Sequence, residues 1–111
     1  MVVHVVLFTP KATLSADERA AFVRTLEATF AAVPDIARAR IGRRRVSDRP
    51  YERLGERYAY LALLEFDSAA ALQRYLEHPA HDALAKAFYA SLEQAEVGDF
   101  DLVDDVGALP D

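Results

Sequence analysis

Two segments of this chain are apolar on both faces when read as strands, and that restricts what it can fold into. Over residues 2–8, His4, Val6 and Phe8 fall on one face, and Val3, Val5 and Leu7 on the other. Over residues 57–66, Tyr58, Tyr60, Ala62, Leu64 and Phe66 oppose Ala59, Leu61 and Leu63. Side chains alternate along a strand, so a sheet covered by helices on one side should carry polar residues at every second position. Neither segment does. One face of such a sheet belongs to the chain's own helices, and the other needs a second cover. Two copies can bury that face against each other in a symmetric homodimer, with Val3, Val5, Leu7, Leu61 and Leu63 at the interface. A loop or the tail is the other candidate cover, but the tail is rich in Asp and suited to water.

The elements between these strands come from capping signals and periodicity. Ser15-Ala16-Asp17-Glu18 has capping-box spacing, and Phe22, Leu26, Phe30 and Val33 follow at helical intervals until Pro34. Residues 36–46 read as a second strand, with Gly42 at a bulge or close approach, and residues 47–56, with Pro50 and Gly55, as a loop. Ser68 caps a second helix carrying Ala71, Leu72, Tyr75 and Leu76. Pro79 breaks it, and a further piece carries Leu84, Phe88 and Leu92. Residues 97–103 form a last strand, after a first one that Thr9-Pro10 ends. The order is β-α-β-β-α-β, with the second helix in two pieces. Right-handed crossovers make it an α+β, ferredoxin-like fold: a four-stranded antiparallel sheet with helices on one face.

At 111 residues the chain is expected to form a single domain over 1–111, with an acidic tail from about 104. With no cysteine it has no disulfide and no thiolate metal site, which suits a reducing, cytoplasmic setting. No signal-peptide pattern opens the sequence, and no apolar run is long enough to span a bilayer, so no membrane partner is expected. A net charge of −5 argues against nucleic-acid binding. The basic residues are unevenly placed, with Arg38, Arg40, Arg43, Arg44 and Arg45 close together, while Asp99, Asp101, Asp104, Asp105 and Asp111 make the C-terminal part acidic. The arginines could gather an acidic ligand or keep an edge strand from pairing with other chains.

Three histidines are present: His4, His78 and His81. Two of them lie in Tyr75-Leu76-Glu77-His78-Pro79-Ala80-His81, around the break between helical pieces. A neutral imidazole there could take a proton near neutral pH, and a nearby phenol could orient a substrate oxygen. The structural alternative is that His78 and His81 serve helix ends and buried carbonyls. His4 stands alone in an apolar strand, where a histidine is more often a satisfied core residue. The spacing lacks the helical i, i+4 histidine pair of a zinc site, so no metal is expected.

The segments His4-Val5-Val6-Leu7-Phe8, Lys11, Ser15 with Glu18, Pro34 with Ile36, Glu65-Phe66, Tyr75 through His81, and Asp99-Phe100 together resemble the stress-responsive α/β-barrel domain family, over nearly the whole chain. The resemblance implies a dimeric α+β barrel with a ligand cavity between each sheet and its helices. Candidate pocket residues are His4, Val6, Phe8, Tyr60 and Ala62 by strand parity, with Phe22 and Leu26 of the first helix and His78, three residues from Tyr75 and so on its helix face. A characterised enzyme type in the family, olivetolic acid cyclase, closes a polyketide by aldol condensation. Its base matches His81 and its supporting phenol matches Tyr75. A cavity His of that enzyme falls at Tyr60 here and a cavity Tyr at Leu26, which implies a more apolar pocket and a different substrate. Three functions follow from the resemblance: a homodimer that binds a small hydrophobic or polyketide-like ligand or serves a protective role without chemistry, a cofactor-independent cyclase or isomerase using His81 and Tyr75, and a monooxygenase or haem-binding relative. The first two imply no cofactor.

Overall fold

The structure, a computed structural model, describes residues 1–52 and 58–109. Four strands form one antiparallel sheet: β1 (Val2–Pro10), β2 (Arg38–Arg43), β3 (Tyr60–Phe66) and β4 (Leu92–Asp101), in the order β2-β3-β1-β4. Helices α1 (Ala16–Ala32), α2 (Ala69–Glu77) and α3 (Pro79–Ser91) lie between them, and a short 3-10 turn, Val106–Ala108, follows β4. This is the ferredoxin-like α+β fold, and the two strands apolar on both faces, β1 and β3, occupy its centre.

Local chemistry sets the helix ends. Ser15 Oγ accepts from the Glu18 N–H at 3.1 Å while Glu18 Oε1 accepts from the Ser15 N–H at 2.9 Å, so the capping box is complete. That contact holds the Glu18 carboxyl below its ordinary value. Ser68 Oγ caps α2 by accepting from the Ala71 N–H at 3.1 Å. Between α2 and α3 the break falls at His78, which ends one helix and caps the next. Its extended backbone (φ −72°, ψ 139°) is the conformation favoured before a proline, and Pro79 takes the first position of α3.

Several boundaries differ from the sequence reading. β1 continues through Pro10, which pairs with Leu92 after a register shift at Thr9, a bulge position that tolerates a missing N–H. β2 is shorter than 36–46, and Gly42 marks neither bulge nor close approach. It pairs regularly with Leu61, and a Cβ there would meet that side chain at an ordinary 4.0 Å. Leu92 is the first residue of β4 and not part of the preceding helix, because its N–H closes α3 on the Phe88 carbonyl and the chain extends at once. Residues 102 and 103 lie outside β4. Part of the expected 47–56 loop and the Arg57 start of the third strand lie outside the described residues.

Register sorts the sheet into two faces. β1 pairs with β3 from Val2↔Phe66 to Phe8↔Tyr60, and with β4 through His4↔Asp99 and Val6↔Val97. The face bearing His4, Val6, Phe8, Ala62 and Leu64 lies under the helices, in two core clusters. One gathers Val33, Leu64, Phe66, Leu72 and Tyr75, and the other Val6, Phe8, Phe22, Leu26, Ala62 and Leu84. On the opposite face Val5, Leu7, Leu61 and Leu63 stay half-buried. Val3 is only 6% exposed already, in a row between Glu65 and Phe100. At one edge, Arg40 of β2 pairs with Glu65 at 3.3 Å. Leu102, Val103, Val106 and Leu109 are all well exposed, so the tail lies over neither face as a packed cover.

Candidate functional site

The two core clusters leave a cavity of about 580 Å³ between the sheet and the helices, within the range of small-molecule sites. Its floor is His4, Val6, Ala62 and Leu64 of the central strands, with Val97 and Asp99 of β4. Its roof includes Leu26 and Phe30 of α1, Tyr75 and Leu76 of α2, and His81, Leu84 and Phe88 of α3. Tyr89, Leu92, Glu93, Gln94 and Ala95 also line it where α3 passes into β4.

The polar groups of this lining meet at the His4 row. His4 Nδ1 stands 2.5 Å from Asp99 Oδ1. A carboxylate accepts, so Nδ1 carries the proton. The His4 ring meets the Tyr75 ring edge-on with centroids 5.7 Å apart, and Tyr75 meets His81 edge-on at 5.0 Å. Phe66 packs on the other side of Tyr75 at 5.4 Å. Asp99, His4, Tyr75 and His81 thus form one continuous chain of contacts.

Tyr75 is 1% exposed, and its hydroxyl makes no hydrogen bond among the described residues. No fully buried side-chain oxygen or nitrogen among them lacks a partner, so this hydroxyl opens onto the cavity. Burial, and after it the charge of Asp99, pushes the phenol up to about 12, so it stays a proton donor at neutral pH. The His81 ring is also without a protein hydrogen bond among the described residues. Burial first, then the neighbouring His4, holds its imidazole below the ordinary value, while Asp82 opposes the shift. As the third residue of α3, His81 also sits at the positive end of the helix dipole, which disfavours a second positive charge. The site therefore offers a neutral imidazole beside a protonated phenol.

Not every expected pocket residue lines this cavity. His4, Val6, Leu26 and Ala62 do. His78 does not, because its Nδ1 accepts from the Ala80 N–H at 3.0 Å as the cap of α3. Phe8 and Phe22 are absent from the lining because they fill the adjoining core, with Phe8 packed on Phe22, Tyr60 and Phe88 at 5.6 to 6.1 Å. Tyr60 lines instead a smaller hollow with Leu7, Arg43, Arg44 and Leu61. Sequence reasoning grouped Asp99 with the acidic tail. Strand parity in β4 could have placed Asp99 on the face of Val97, but its position opposite His4 comes from the register of β4 on β1.

A model of the stress-responsive A/B barrel domain matches residues 2–102. Among curated proteins there is no significant match. Several solved structures share the fold. A dimeric ferredoxin-like protein of unknown function from Jannaschia is 25% identical, with a TM-score of 0.72 over 91% of this chain and 98% of that one. The hydroxynitrile lyase of Passiflora edulis is 17% identical, with a TM-score of 0.76 over 94% of each chain. SnoaB, a cofactor-independent oxygenase from Streptomyces nogalater, is 27% identical, with a TM-score of 0.67 over 95% of each chain.

Proposed function

The chain belongs to the stress-responsive A/B barrel domain family, and within that family we propose that its cavity binds a small hydrophobic carbonyl compound and moves a proton on it. The observation that carries this reading is a pair of ring groups without a hydrogen-bond partner among the described residues: the Tyr75 hydroxyl and the His81 imidazole, side by side in one cavity.

The chemistry follows from their protonation. His81, neutral, takes a proton from a carbon next to the carbonyl. The C–H electron pair becomes the C=C bond of the enolate, the carbonyl π pair moves onto oxygen, and Tyr75 donates a hydrogen bond to that oxygen as its charge grows. The imidazolium then formed lies near Asp82 and in a cavity that also carries Asp99. In a ligand with a second, distant carbonyl, the enolate carbon can attack it, forming a C–C bond. The resulting alkoxide then recovers the proton from His81, which balances an aldol closure. That a hydroxynitrile lyase and an oxygenase share the fold supports a scaffold that hosts small-molecule chemistry, without specifying which.

Hydrogen–deuterium exchange at the central carbon of an alkyl 1,3-diketone tests the reading. The intact protein should accelerate exchange, and His81→Ala should return it to the buffer rate, a loss on the scale of about 10²-fold or more for a general base. Acceleration that survives His81→Ala overturns the assignment of the base.

The same reading includes a homodimer. Val5, Leu7, Leu61 and Leu63 form a half-buried apolar patch on the helix-free face, and the Jannaschia relative is dimeric. A second copy of this face is the self-complementary cover.

A further inference from the structure

The lining of the cavity carries two carboxylates, Asp99 and Glu93, and neither Lys nor Arg among the described residues. Asp99 stands at the polar end beside His4, and Glu93 lies six residues earlier on β4, roughly 20 Å of extended strand away. The arginines of β2 lie at the opposite edge of the sheet, with β3 and β1 between them and β4. The remaining device that could hold an anion is the N-terminus of α3, where His81 sits. Its donors are all engaged. The His78 N–H donates to the Tyr75 carbonyl at 3.1 Å, Pro79 has no N–H, the Ala80 N–H donates to His78 Nδ1, and the His81 N–H donates to the His78 carbonyl at 2.9 Å. Asp82 adds a negative charge in the same turn.

An anionic group entering the polar end would lose part of its water and find no cation in exchange at pH 8, since the His81 ring is neutral there and His4 is already held by Asp99. An ammonium gains little for the same reason, because Asp99 is engaged. A neutral carbonyl loses far less on entry and gains the Tyr75 hydroxyl. We infer that this cavity selects uncharged ligands: an elongated apolar molecule with a neutral carbonyl at the Tyr75–His81 end, the free carboxylate or phosphate ester of the same skeleton being rejected. Asp99, which holds His4 at the polar end, sets this selectivity. The inference deepens the proposed function and rests on its placing of a carbonyl against Tyr75 and His81.

Three probes with one alkyl chain length separate the charge states: decan-2-one, decanoate and decylamine, titrated calorimetrically at pH 8. The ketone should bind at least about tenfold more tightly than decanoate, a difference of about 1.4 kcal/mol. Asp99→Asn, which frees His4, should narrow the ratio of ketone to carboxylate affinity relative to the wild type, both measured at pH 6. Decanoate binding as tightly as the ketone, decylamine binding tightest, or no binding of any probe to the folded protein overturns the inference. Ketone binding with no catalysed exchange of the matching diketone would sink the proton-transfer reading and leave the selectivity standing.

Discussion

The two faces of the sheet differ by a one-residue step along each strand, yet they meet different surroundings. Under the helices, Phe66, Leu64 and Ala62 are at most 3% exposed, and the packing is interrupted only by the cavity. On the other face Val5, Leu7, Leu61 and Leu63, of equal hydrophobicity, keep part of their surface open. Polar groups divide the same way. The helix side concentrates His4, Asp99, Tyr75 and His81 in one row. The open side keeps its charge toward the sheet edges, with Arg40 and Glu65 at one and Glu96 at the other. One face encloses a cavity, and the other leaves an apolar patch without a cover among the described residues.

The largest effect should come from breaking the open face. Leu63→Lys places a charge at the centre of the apolar patch, where burial against a second copy would cost several kcal/mol. It should convert dimers to monomers at micromolar concentration by sedimentation velocity, while circular dichroism and ketone binding in the cavity persist. A dimer that survives would show that another surface makes it.

A smaller effect sharpens the helix side. The Tyr75 phenol, pushed up from its ordinary 10 to about 12, holds its proton more tightly when folded. Its contribution to stability is therefore complete below pH 10 and is lost as pH rises from 10 toward about 12. Denaturant melts across that window should show the wild type losing stability faster than Tyr75→Phe. In an absorbance titration, one of the five tyrosines should ionise last. Equal slopes for the two proteins would place the phenol in a more watery site than the geometry gives it.

How much of this was legible in the sequence follows from the range of the forces involved. Alternation in β1 and β3 reveals both faces because its period is local, and Ser15 and Ser68 mark helix starts within three residues. β4 was misread at its start because Glu93-Gln94-Ala95-Glu96 is an edge segment with no apolar alternation. The pairing of Tyr75 with His81 follows from the family resemblance, whereas spacing alone puts Tyr75 and His78 on one helix face. His4 against Asp99 could not, since their contact depends on register across 95 residues. His78 looked like a pocket residue from spacing alone, and only its backbone shows that its ring is committed to the Ala80 N–H. The resemblance implies a cavity between sheet and helices, but not its bounds, because the aromatic packing of Phe8, Phe22, Tyr60 and Phe88 decides where the core is filled.

The central claim is that His81 stands neutral and unengaged in a cavity open to a ligand. With three histidines in the chain, a ¹H–¹³C NMR titration resolves each imidazole, with and without saturating decan-2-one. The account predicts that His81 titrates below the ordinary 6.5 and that its resonances move when the ketone binds, while those of His78 stay in place. A His81 that titrates at or above 6.5 and ignores the ketone would contradict it.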